Sequence, residues 1–175
     1  MLSSPLPPDV LRLTIGGYTL DPFGTHGLGH WARVLENGLN LVRVTGADPL
    51  VVTLFALLHD CRRWSEGSDW DHGLRASYLV PEVCKFIPGL DMARAELLRE
   101  ACAHHTDGVL HDDPTVGTCW DADRLDLGRV GITPRPELLC TAAARAPSEI
   151  EGATQRAVAE TVPSFVYEEW VQFTL

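Results

Sequence analysis

The run Asp48-Pro49-Leu50-Val51-Val52-Thr53-Leu54-Phe55-Ala56-Leu57-Leu58-His59-Asp60 decides how this chain folds. Asp48 before Pro49 is a helix-start signature: a carboxylate for the free N–H groups, then a ring that fixes φ where no N–H is needed. From Pro49 to Leu58 only Thr53 interrupts the apolar character. Such a helix has no face for water and belongs at the centre of a bundle. It is too short to span a membrane, which takes about 18–20 apolar residues. It closes on His59-Asp60, and a dry helix cannot end in two polar groups without giving them partners.

Helical signals surround this element. Thr25 is placed to cap a preceding helix whose stripe is Leu28, Trp31, Val34, Leu35, Leu39 and Val42. A following helix starts near Asp69 to Asp71 and is ended or kinked at Val80 by Pro81. Asp91 caps one that runs from Met92 to His105 and stops at Asp107-Gly108. Another covers about Val116 to Val130. The stretches Pro134 to Ala146 and Ser148 to Val162 read as further helices divided by Pro147, and the aromatic run Phe165 to Phe173 packs back on the bundle. The Pro- and Gly-rich residues 1–24 form a lead-in with a short helix or strand near Asp9 to Ile15. No alternating run demands a sheet. The expected class is all-α: one domain over residues 1–175, with motif-bearing helices in 25–132 and C-terminal helices in 133–175 packed on them.

The 175 residues include 14 basic and 24 acidic side chains, a net charge of −10, with 45% apolar residues. That is enough apolar material for a real core. The negative charge disfavours a nucleic-acid duplex or an anionic membrane as partner. It allows a small phosphate ester, because a metal or an Arg cluster reverses the field inside a cleft. The N-terminus shows no signal-peptide pattern. The five Cys contain no Cys-x-x-Cys pair, so buried thiols in a reducing, cytoplasmic compartment are expected. A homodimer is a possible further partner, although no heptad seam marks one.

All seven His lie between 26 and 111. His26 and His30 share a helix face, His59-Asp60 closes the apolar helix, His72 opens the next, and His104-His105 close the one after Asp91. Asp121, Asp123 and Asp126 follow. Helix ends converging in this way can offer metal ligands to one point in a bundle. Asp121 and Asp123 point roughly 200° apart on a helix, so only one can face that point.

In order and in local sequence these residues resemble the HD superfamily of metal-dependent phosphohydrolases. His30-Trp31-Ala32-Arg33-Val34 is similar to that family's first-helix motif, Leu57-Leu58-His59-Asp60 to its defining doublet, and Ala122-Asp123-Arg124-Leu125 to its terminal element. The resemblance covers about Thr25 to Ile132. It implies an HD-domain-like helical bundle with a metal site at its centre, ligated by His30, His59, Asp60 and Asp123. It selects Asp123 over Asp121 and leaves Asp126 to hold a ligand His in its tautomer. His72-Gly73-Leu74-Arg75 and His104-His105 are similar to elements of binuclear members, so His72, His104, His105 and His26 are candidates for a second ion. The Gly-Tyr-Pro segment of the cyclic-dinucleotide phosphodiesterases is missing from the loop Asp107 to His111.

The implied cofactor is one or two divalent transition ions (Mn, Co, Fe, Ni or Zn). The implied activity is hydrolysis of a small phosphate ester, nucleotides first, as a phosphomonoesterase or phosphodiesterase. A metal acidifies water and polarises the phosphoryl group. Asp60 or a neighbouring group would take the proton, with His104 and Arg63 stabilising phosphoryl charge. Arg124 is a second candidate for phosphate, and His111 is expected in solvent. The alternatives are a di-iron HD-type oxygenase, a non-catalytic HD ligand-binding module, and a structural metal site.

Overall fold

In the computed structural model, which describes residues 6–174, the helix opened by Asp48-Pro49 is α3, Pro49–Leu58. The Asp48 carboxylate accepts from the Leu50 and Val51 amides at 2.9 and 3.2 Å, and Arg94 donates to its other oxygen at 2.7 Å. Every residue from Val51 to Leu58 is buried. Each large side chain removed from water in this way contributes about 1.5–3 kcal/mol.

Around α3 stand α1 (Pro8–Thr14), α2 (Leu28–Thr45), α4 (His72–Ser77), α5 (Val80–Phe86), α6 (Met92–His104) and α7 (Pro114–Arg124), and α8 (Pro147–Val158) lies outside them. No strand occurs among the described residues. α3 packs on α2, α6 and α7, α2 also packs on α7, and α4 packs on α6. Gly38 sets the α2–α3 approach: a Cβ there would lie 2.5 Å from a Val52 methyl. Asp91 and Asp113 cap α6 and α7 through their own carboxylates.

Several boundaries differ from expectation. Thr25 caps nothing: α2 begins at Leu28 after Gly27, whose backbone is extended. Pro81 does not end a helix at Val80 but sits in the first turn of α5, where its missing N–H costs nothing. The expected helix to Val130 is α-helical only to Arg124 and tightens into a 3-10 segment, Leu125–Val130. Pro134 to Ala146 is mostly turns with a short 3-10 helix, Pro136–Leu138. Arg124 explains much of this, since it draws the carbonyls of Gly108, Val109 and Leu138 together and holds that stretch across the bundle. α8 starts at Pro147, in its first turn, and packs on the Leu125–Val130 segment. The last aromatic stretch returns to the bundle through buried Val166 and Trp170.

Replacing Asp48 by Ala removes the only side-chain cap of the central helix. The expected cost is about 1–2 kcal/mol, a fall in melting temperature of roughly 2–8 °C. Thermal unfolding followed by circular dichroism measures it, and an unchanged melting temperature contradicts the role given to the cap.

A candidate two-lobed metal centre

Four imidazoles converge at the C-terminal end of α3. His30 comes from the first turn of α2, His59 caps α3, His72 opens α4 and His105 follows α6. All four are buried. Each has its Nδ1 spoken for. His30 Nδ1 donates to Asp126 Oδ2 at 2.7 Å, His59 Nδ1 to the Phe55 carbonyl at 3.2 Å, His105 Nδ1 to the Cys102 carbonyl at 2.8 Å, and His72 Nδ1 to the Asp69 carbonyl. Carbonyl and carboxylate oxygens only accept, so each Nδ1 carries the proton and each Nε2 faces inward.

The Nε2 atoms meet in pairs, His30 with His59 at 3.1 Å and His72 with His105 at 2.8 Å. The Asp60 carboxylate lies between the pairs. Its Oδ2 is 3.5 Å from His30 Nε2 and 3.7 Å from His59 Nε2, and its Oδ1 is 2.9 Å from His72 Nε2 and 3.7 Å from His105 Nε2. Asp123 Oδ1 closes the first lobe, 3.4 Å from His30 Nε2 and 3.9 Å from His59 Nε2. In His30, His59 and Asp60, and again in Asp60, His72 and His105, the donor atoms lie within 4.8 Å of one another. These buried groups can hold a metal ion. A site of nitrogen and carboxylate donors without thiolate suits a first-row divalent ion.

Burial and the nearby carboxylates pull the ionisation of these imidazoles in opposite directions. Burial, the largest influence, works against a charged His30, but hydrogen bonds to Asp123, Asp126 and Asp60 outweigh it and push the pKa up to about 9. Burial pulls His59 down to about 3 despite the nearby carboxylates. His105 is raised, its bond to Asp60 overcoming burial. Asp60 and Asp123 are held well below the ordinary carboxylate range, because the imidazoles more than offset the cost of burying them. At neutral pH His30 carries a proton, and with the Arg63 guanidinium 3.4 Å from Asp60 Oδ1 it supplies positive charge beside the buried Asp60 carboxylate.

Outer contacts lock this arrangement. Arg33 forks onto Asp126 at 2.7 and 3.1 Å, fixing the carboxylate that holds His30. Arg75 pairs with Asp69 at 2.6 Å and lies 3.8 Å over the Trp64 ring, fixing the loop whose Asp69 carbonyl orients His72. Gly73 lets α4 meet α6, since a Cβ there would lie 2.3 Å from the Cys102 carbonyl and 2.8 Å from the His105 ring.

Of the residues expected at the site, His30, His59, Asp60, Asp123, His72 and His105 are brought together. His104 is not. Its side chain is 51% exposed and lies 3.7 Å from Asp107. Successive helical residues point about 100° apart, so with His105 turned inward His104 faces water, and the phosphate-stabilising role expected of it has no support in its position. His26 stands at the edge of the site but in neither group of donors, its Nδ1 held by Glu66 at 2.6 Å. Asp121 is buried elsewhere, accepting from the Cys140 and Thr141 amides. Arg124 spends its donors on carbonyls rather than on a ligand. His111 is half-buried, accepting from the Asp113 amide and packed edge-on against Trp120. Cys61, Cys102 and Cys119 are buried free thiols, and burial pushes Cys61 up to about 12, which removes it as a nucleophile near neutral pH.

Asp123 is the most exposed donor, its side chain 19% accessible. It faces a cavity of about 440 Å³ whose floor is Asp60, His72, His105 and Asp123. Arg63 lines the same cavity, its Nε and Nη2 tied to the Ser65 and Gly67 carbonyls and its Nη1 3.4 Å from Asp60 Oδ1. The Thr106 hydroxyl stands 3.4 Å from the Nε2 atoms of His72 and His105. Nothing in the sequence singled out Thr106 or Glu66, because neither lies in a motif and only the fold carries them to the site. No helix among the described residues is long and apolar enough to cross a membrane. Comparison with protein-family models, curated proteins and solved structures found no match.

A metal held by His30, His59 and Asp60 should expel the proton from His30. A proton on a group whose pKa is about 9 competes with the ion throughout the neutral range, so affinity rises with pH up to that value and falls below it. Calorimetric titration with Mn at pH 7, in buffers of differing ionisation enthalpy, is expected to show proton release as the site of His30, His59 and Asp60 fills. Binding with no proton release contradicts the assignment.

Proposed function

We propose that this protein is a metal-dependent phosphohydrolase of the HD type, acting on a small phosphate ester. The observation that carries the reading is the placement of Asp60 between two imidazole pairs, at the floor of a cavity that also presents a fixed guanidinium. The order of the donors along the chain supports it: His30 on α2, the His59-Asp60 doublet ending α3, His72 on α4, His105 after α6 and Asp123 on α7.

The residues fit a divalent ion: His30, His59 and Asp60, with Asp123 beside them, would hold one, and Asp60, His72 and His105 could hold a second. Bound there, such ions acidify a water and polarise a phosphoryl oxygen. The chain supplies the rest. Arg63, held rigid by two carbonyls, offers Nη1 to a phosphoryl oxygen beside Asp60. His26 lines the cavity with Nδ1 donated to Glu66, which leaves Nε2 to exchange a proton with water or the leaving group. Its pKa is lowered, chiefly by burial, so it is neutral near pH 7 and able to accept.

A di-iron oxygenase would use the same donor set. Arg63 at the cavity floor favours an anionic substrate and so hydrolysis. The two readings separate in one assay, in which Mn- or Co-loaded protein releases phosphate from esters and iron-loaded protein consumes no oxygen with the same compounds. Asp60→Asn should lower hydrolysis at least about a hundredfold while circular dichroism stays helical, and His104→Ala should retain wild-type turnover. Undiminished turnover in Asp60→Asn, or oxygen consumption without phosphate release, overturns the proposal.

A further inference from the structure

The cavity above the His/Asp cluster has two unlike halves. Its floor is charged. Its outer wall is mainly apolar, with Val109, Leu127, Ile132, Pro134, Leu138 and Leu139, and Arg129 and Arg135 stand at its edge. Three of these side chains come from separate turns and remain uncovered: Val109 is 67%, Ile132 52% and Leu138 38% exposed. Apolar side chains gathered at the mouth of a polar cavity, rather than scattered over a surface, are what an apolar ligand group requires.

Four carbonyls along the wall are already engaged by arginines. The Gly108, Val109 and Leu138 carbonyls accept from Arg124, and the Leu139 carbonyl accepts from Arg145 at 2.8 Å. A nucleobase edge needs donors and acceptors facing it, and a polar edge buried without them costs free energy. Thr106 and Thr133 are the hydroxyls among the lining residues, and on the Ile132–Leu139 stretch only Thr133 and Arg135 offer polar side chains.

Resting on the phosphohydrolase reading, we infer that the substrate is a phosphate monoester of an apolar alcohol, alkyl or aryl. Its phosphate is held on the floor by Arg63 and the metal centre, and its organic group lies on the wall of Val109, Ile132 and Leu138. Nucleotides enter only as poor substrates, without discrimination between bases.

The test is calorimetric binding of alkylphosphonates, which cannot be hydrolysed, to the Mn-loaded full chain. Affinity is expected to rise about two- to fourfold for each methylene from methyl to hexyl. Ile132→Asn combined with Leu138→Asn, both at exposed positions, should flatten the series while leaving methylphosphonate affinity within about twofold. Adenosine and cytidine monophosphates should bind equally and more weakly than hexylphosphonate. Affinity independent of chain length, or a tenfold preference between nucleotides, overturns this inference and leaves the phosphohydrolase reading standing. Failure of every phosphonate to bind overturns both.

Discussion

A carboxylate with almost no exposure to water needs positive charge close by, because burying an unpaired charge costs several kcal/mol. Asp60 is that carboxylate, and the surrounding helices are arranged to supply what it needs. Its position follows from α3: a helix buried on all sides delivers its terminal residues to the middle of the bundle, and His59-Asp60 are those residues. Imidazoles then arrive from α2, α4 and the end of α6, each with Nδ1 tied to an acceptor so that Nε2 points at the carboxylate. The charged His30 and the Arg63 guanidinium balance Asp60, and the same buried donors can hold a metal ion.

This dependence explains why so much of the outer structure serves orientation. Arg33, Asp126, Arg75, Asp69 and Trp64 touch no cavity floor, yet each fixes a group that fixes an imidazole. Gly73 does the same by absence, because any side chain there would push α4 off α6 and part His72 from His105. Preorganisation of this kind keeps the donor atoms in place before an ion arrives, so that little reorganisation opposes binding.

The all-helical class was legible because helix starts and apolar stripes are local. Asp48 and Asp91 mark real helix beginnings, and the uniformly apolar α3 could only be central. Resemblance to known motifs picked out His30, His59, Asp60 and Asp123, and these do converge. What escaped was whatever tertiary contact decides. Which of two adjacent His turns inward depends on how α6 rolls against α4, and the exposed His104 beside the buried His105 shows the outcome. Likewise the stretch from Pro134 to Ala146 carries helical composition, but it folds as turns and a short 3-10 helix, with Arg124 tying the Leu138 carbonyl across the bundle. The cavity wall is assembled from residues far apart in the chain and had no signal of its own.

The central claim is that Asp60 joins two metal positions. The most direct measurement is the metal content of protein purified without chelator or metal-binding tag and saturated with Mn or Co, compared with a His105→Ala variant of confirmed helicity. Two ions per chain in the wild type and one in the variant is the predicted result. A single ion in the wild type, or a count that His105→Ala leaves unchanged, would contradict it.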